Sequence, residues 1–115
     1  MAAHSHRHRL LDIREEIAGI IGSTSSASIE EFAASWAMRR AVEHALLIIA
    51  EAAKHIPDEE KLSQASIPWR KIHGLGNLLR HEYRRVDPEV LWSVITDHLV
   101  PLDRAVVALL ARMPE

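Results

Sequence analysis

The stretch PWRKIHGLGNLLRHEYRRVD, residues 68–87, decides how the chain is read. Its pattern predicts a helix that Pro68 opens from the first turn, where the missing proline N–H leaves no helical bond unmade. On that helix His73, Asn77 and His81 recur every four residues and so share one face. Arg80 and Arg84 border this face, and Tyr83 stands just beyond His81. An imidazole can take or give a proton near neutral pH, and a neighbouring guanidinium can hold a phosphate and absorb charge developing on it. A nuclease that works without a metal needs parts of this kind. A solvated basic helix face, the commoner use of such residues, needs no more than the same pattern.

Upstream, from about Trp36 to Lys54, the positions Met38, Ala41, Val42, Ala45, Leu46, Ile49, Ala52 and Ala53 make an apolar helical stripe. Leu47 and Ile48 widen it, which predicts packing in two directions. Further back, Leu10, Ile13, Ile17, Ile20 and Ile21 form a first amphipathic helix that ends in Gly22–Ser26. Ser28-Ile29-Glu30-Glu31 reads as a capping box opening the next segment. Residues 56–66, with Pro57 and acidic side chains, read as a connection. Downstream, Asp87 is an N-cap before Pro88, and Leu91, Ile95, Leu99, Leu102, Val106, Leu109 and Met113 keep helical spacing, with a kink or break expected at Pro101. The expectation is an all-α bundle of four or five helices, sequential ones antiparallel.

Composition agrees. A chain of 115 residues with 48% hydrophobic content suits one domain, and three Trp, one Tyr and one Phe leave the core to aliphatic side chains. The absence of cysteine removes disulfides, thiolate metal sites and thiol nucleophiles. No apolar run reaches the ~18–20 residues of a membrane span, and no secretory signal pattern opens the chain, so no membrane association and a cytoplasmic location are expected. A net charge of −2 speaks against nucleic-acid binding over the whole surface, yet residues 69–85 carry five Lys or Arg against one Glu. Any basic site is local.

Other candidates read more plainly. His4, His6 and His8 alternate within a head, about residues 1–8, expected to be disordered rather than a metal site. His81-Glu82 lacks the second histidine of a zinc protease motif. Glu43 and Glu51, two turns apart, read as surface or interface ion-pair partners, and Trp36, Trp69 and Trp92 as core or interface anchors.

The string Pro68-Trp69-Arg70-Lys71-Ile72, followed by Gly74, Asn77, Leu79, His81, Tyr83 and Val86-Asp87, resembles the signature segment of HepT-like proteins of the HEPN superfamily. Arg40-Ala41-Val42-Glu43 with Ile48-Ile49-Ala50-Glu51-Ala52-Ala53 looks like their second helix. The resemblance implies one HEPN domain over residues 1–115 and a homodimer with its site at the interface. It also implies an Arg-x(4 to 6)-His-x-Tyr motif that cleaves RNA without a metal or organic cofactor. It further implies a toxin whose nucleotidyltransferase antitoxin adds AMP to the motif tyrosine. On this chain His81 is then catalytic, with Asn77 and Arg80 beside it, Tyr83 is the modified residue, and Arg70, Lys71, Arg84 and Arg85 contact RNA. The motif arginine is missing, because Gly76 stands in its place. Two readings follow: a nuclease whose cation arrives from another direction, or a helical dimer that keeps partner binding and has lost cleavage.

Overall fold

A computed structural model describes residues 2–113, with side chains from His6 onward. Its elements are α1 (Ala2–Thr24), α2 (Ile29–Ala34), α3 (Trp36–Ala53), α4 (Asp58–Leu62), α5 (Trp69–Glu82), a 3-10 turn (Tyr83–Arg85), α6 (Pro88–Asp97) and α7 (Leu99–Ala111). Seven α-helices among the described residues exceed the four or five expected, because α2 and α4 are extra helices of six and five residues. The all-α class stands, and no helix of the described residues is long and apolar enough to cross a membrane.

Local chemistry sets the boundaries. In the last turn of α1 the Thr24 hydroxyl donates to the Ile20 carbonyl at 2.8 Å, so the chain turns with that acceptor satisfied. The capping box then forms as expected: Glu31 N–H donates to Ser28 Oγ at 3.1 Å, and Ser28 N–H to Glu31 Oε1 at 2.8 Å. Ser35 both ends α2 and caps α3, accepting from Met38 N–H at 3.0 Å. The helix boundary expected at Pro101 falls three residues earlier, at His98, because a proline early in a helix lacks only an N–H that would have no partner there. Asp87 is the N-cap residue of α6, though its side chain makes no cap bond. Pro68 likewise sits one position before α5 rather than inside its first turn.

Helices α5, α3, α1 and α7 are neighbours in that order, and α2 pairs with α6, where the Phe32 and Trp92 rings lie 5.3 Å apart. The stripe of α3 therefore packs in two directions, on α1 and on α5. Leu10, Ile13 and Ile17 of α1, Val42 and Ile49 of α3, and Val106 and Leu109 of α7 are buried in one continuous core. Each such side chain contributes about 1.5–3 kcal/mol of hydrophobic stabilisation.

Two sequence expectations are corrected here. The segment 56–66 holds α4 as well as a connection, and α4 meets α5 through Trp69, whose Nε1 donates to the carbonyls of Lys61 at 3.2 Å and Gln64 at 3.1 Å. The head expected to be disordered is helical from Ala2, and His6 is buried, so burial at the start of α1 extends the helix beyond the apolar stripe. The side chain of His4 lies outside the described residues. No group of three or more metal-binding side chains occurs among the described ones.

Candidate active site

Helices α3 and α5 pack closely, and the contact that allows it is Gly76. A Cβ built on Gly76 would lie 2.5 Å from Ala50 Cβ, far inside van der Waals contact. Gly76 is buried, so it faces α3 and not the solvent face that carries the histidines. Its absent side chain brings the backbones together and fixes how the polar residues of the two helices meet. Position 76 is thus closed by the helix crossing.

On the solvent side of this crossing a polar network spans both helices. Asn77 Nδ2 lies 3.4 Å from His73 Nε2, and Asn77 Oδ1 accepts from Arg80 Nη1 at 3.2 Å. The other terminal nitrogen of Arg80, Nη2, donates to Glu51 Oε1 on α3. The same carboxylate oxygen is 3.5 Å from Lys54 Nζ. The network is a short chain, His73–Asn77–Arg80–Glu51–Lys54, in which an amide presents its acceptor to the cation and its donor to the imidazole. His81, in the last turn of α5, is exposed and open to solvent.

Past His81 the chain tightens into the 3-10 turn, which places Tyr83 beside the first turns of α3. The Arg40 guanidinium lies 4.9 Å from the Tyr83 ring centroid and 5.7 Å from that of Trp36, and Arg84 is 5.9 Å from Tyr83. Arg40 Nη1 also donates to Glu43 Oε1 at 2.8 Å. Tyr83 is 38% exposed. A phosphate on its hydroxyl would enter a field set by Arg40 and Arg84.

The sequence-predicted residues therefore divide. His73, Asn77 and Arg80 meet in one network, His81 and Tyr83 follow at its end, and Arg84 stands over the tyrosine ring. Arg85 turns to Glu82, with 2.8 Å between Nη1 and Oε1, while Arg70 and Lys71 are exposed at the other end of α5. Glu51 is the ion-pair partner it was expected to be. Glu43 is paired too, but 92% shielded rather than on the surface. Trp69 and Trp92 pack against the core, whereas Trp36 is 65% exposed and stands outside it. Sequence reasoning missed the parts played by Arg40 and Lys54. Both lie on one stripe of α3 with Leu47 and Glu51, a signal visible in the spacing but uninformative until α5 is laid beside it.

Comparison with known proteins identifies the family. The family model described as "Ribonuclease HepT-like" matches residues 13–109. A protein of Thermococcus cleftensis named as a candidate ribonuclease HepT is 37% identical, over 85% of this chain and 89% of its own length. Proteins named as candidate RNases from Caldanaerobacter subterraneus and Methanocaldococcus jannaschii are 30% and 31% identical, over 92% and 84% of this chain and 95% and 89% of their own lengths. No solved structure gives a match. The chain belongs to the HepT-like ribonuclease family of the HEPN superfamily.

Proposed function

We propose that this HepT-like chain is the ribonuclease of a cytoplasmic toxin–antitoxin pair, acting as a homodimer and silenced when a nucleotidyltransferase antitoxin adds AMP to Tyr83. The observation that carries the reading is Arg80, held by Asn77 and Glu51 beside His81. It supplies a fixed guanidinium where the motif arginine is missing.

In the proposed reaction His81 takes the proton of a ribose 2′-hydroxyl, and the oxygen attacks the adjacent phosphorus. The bond from phosphorus to the 5′-oxygen breaks, an acid returns a proton to that oxygen, and the products carry a 2′,3′-cyclic phosphate and a 5′-hydroxyl. Arg80 stabilises the charge that grows on the non-bridging oxygens. Neither a metal nor an organic cofactor takes part. A two-fold partner would bring a second His81 to the shared face, and the exposed indole of Trp36 is apolar surface available for that contact. Tyr83 suits modification because it is exposed between Arg40 and Arg84, so the added phosphate would capture guanidinium groups and cover the approach to His81.

One observation favours a second reading. Gly76 is sealed against Ala50, and a chain without the motif arginine at that place would serve as a nuclease-inactive dimer that only binds its nucleotidyltransferase. Cleavage of single-stranded RNA by the wild-type chain and by His81→Ala separates the two. Cleavage lost in the variant, at unchanged helical circular dichroism, supports the ribonuclease; two inert proteins support the second reading.

A further inference from the structure

Beyond the catalytic face, α3, α4 and α5 enclose a groove of about 390 Å³ lined by Ala50, Ala53, Lys54, Asp58, Lys61, Trp69, Arg70 and His73. Three permanent cations and one imidazole line it with the Asp58 carboxylate, and of the cations Lys54 is already paired with Glu51. Neither Lys61 nor Arg70 belongs to any ion pair among the described residues, and Asp58 in the same wall neutralises neither. A protein of net charge −2 that gathers unpaired cations in one concavity presents a local anion site. The wall is also firm. The Trp69 indole is tied through Nε1 to two backbone carbonyls, of Lys61 at 3.2 Å and Gln64 at 3.1 Å, which fastens α5 to the α4 side of the groove.

The groove adjoins the polar network that holds Arg80. His73 lines it and lies 3.4 Å from Asn77, and Lys54 lines it and shares the Glu51 carboxylate with Arg80. From His73 to His81 is eight residues of one helix, a rise of about 12 Å. That distance spans roughly three phosphates at the duplex spacing of 3.4 Å per strand and fewer in an extended strand.

We infer that this groove is a phosphate-binding subsite for single-stranded RNA, in which Lys54, Lys61, Arg70 and His73 hold backbone phosphates a few nucleotides from the bond presented to His81. The inference rests on the ribonuclease reading for its substrate class. It assigns to Lys61, on α4, a part in binding that the α5 motif does not contain. Because the contacts are to phosphates and not to base edges, the subsite holds RNA of any sequence.

The test uses a fluorescently labelled single-stranded RNA whose ribose hydroxyls are all 2′-O-methylated, so that binding is read without cleavage. Removing Lys61 and Arg70 together, as K61A/R70A, should weaken binding about tenfold and make the salt dependence of log K shallower by about 1.4, the expectation for two single-strand phosphate contacts. A control of equal charge on α1 and α7, R9A/R104A, should leave both quantities near wild type. Equal loss in the two double variants, no loss in K61A/R70A, or no binding by the wild-type protein would each overturn the subsite. The nuclease reading fails separately. A wild-type chain that binds the probe through the groove but leaves unmodified RNA intact retains the subsite and refutes cleavage.

Discussion

Arg80 is a single side chain with two partners on different helices, and its value lies in being held. Asn77 and Glu51 each fix one terminal nitrogen, which removes most of the rotamer freedom a surface arginine would lose on meeting a phosphate. We expect Arg80→Ala to lower the single-turnover rate of RNA cleavage about 100-fold or more, in the range found when one stabilising donor is removed from an active site. Glu51→Gln keeps the hydrogen bond but weakens the hold, so its loss should be smaller. Equal rates for Arg80→Ala and wild type would show that the cation comes from elsewhere. Tyr83 gives a second prediction at this scale: incubation with ATP, magnesium and the cognate nucleotidyltransferase should add one adenylyl mass to the chain. Tyr83→Phe should show none, and an adduct persisting in that variant would place the modification at another residue. The positions of His81 and Tyr83 were singled out in the sequence through the resemblance of segment 68–87 to the family signature, since both lie within that one segment. The engagement of Arg80 with Glu51 was not, since it joins residues 29 positions apart through a helix packing that the spacing of either helix alone leaves open.

At the level of elements, the α3–α5 crossing turns a residue that looks like a missing catalytic group into a packing requirement. On an isolated helix, replacing Gly76 by alanine would gain about 0.5–1 kcal/mol. In this fold the new methyl meets Ala50 Cβ, and overpacking of that kind costs about 1–3 kcal/mol. Gly76→Ala should therefore lower the midpoint of thermal unfolding. Adding Ala50→Gly should return part of the loss, giving a coupling of about 0.5–3 kcal/mol in a double-mutant cycle. Strict additivity of the two changes in denaturant unfolding would show that the methyl groups do not meet. Gly76→Arg, the obvious way to rebuild the motif, should be less stable still unless Ala50 is also reduced. Helix existence was legible here from apolar periodicity. The side of α5 that touches α3 was not, because a glycine in a basic amphipathic segment carries no sign of the face it occupies. Helix α4 escaped for a related reason: with five residues and no buried side chain, it leaves no apolar period to read.

For the whole molecule, the neighbour order α5, α3, α1 and α7 buries α3 on two sides within one chain, so the width of its apolar stripe does not by itself demand a second copy. Among the exposed apolar side chains is Trp36, 65% exposed beside Arg40 and Tyr83 at the start of α3. Light scattering at micromolar concentration should give twice the chain mass, and Trp36→Glu should shift it toward the monomer while leaving helical circular dichroism unchanged; a wild-type monomer, or a variant that stays dimeric, would remove Trp36 from the interface. The all-α class was legible from composition and period alone, since both are summed over the chain and tolerate local error. The helical start of α1 was not, because the burial of His6 depends on long-range packing that an alternating run of histidines does not announce. The close seat of Gly76 on Ala50 also constrains which substitutions the chain accepts, and in what order. Once two helices have settled together around a glycine, a change to arginine there strikes a neighbour's methyl group, so the order of substitution runs through position 50 first. The packing acts as a ratchet: a larger residue at position 76 is accommodated only after Ala50 has been reduced.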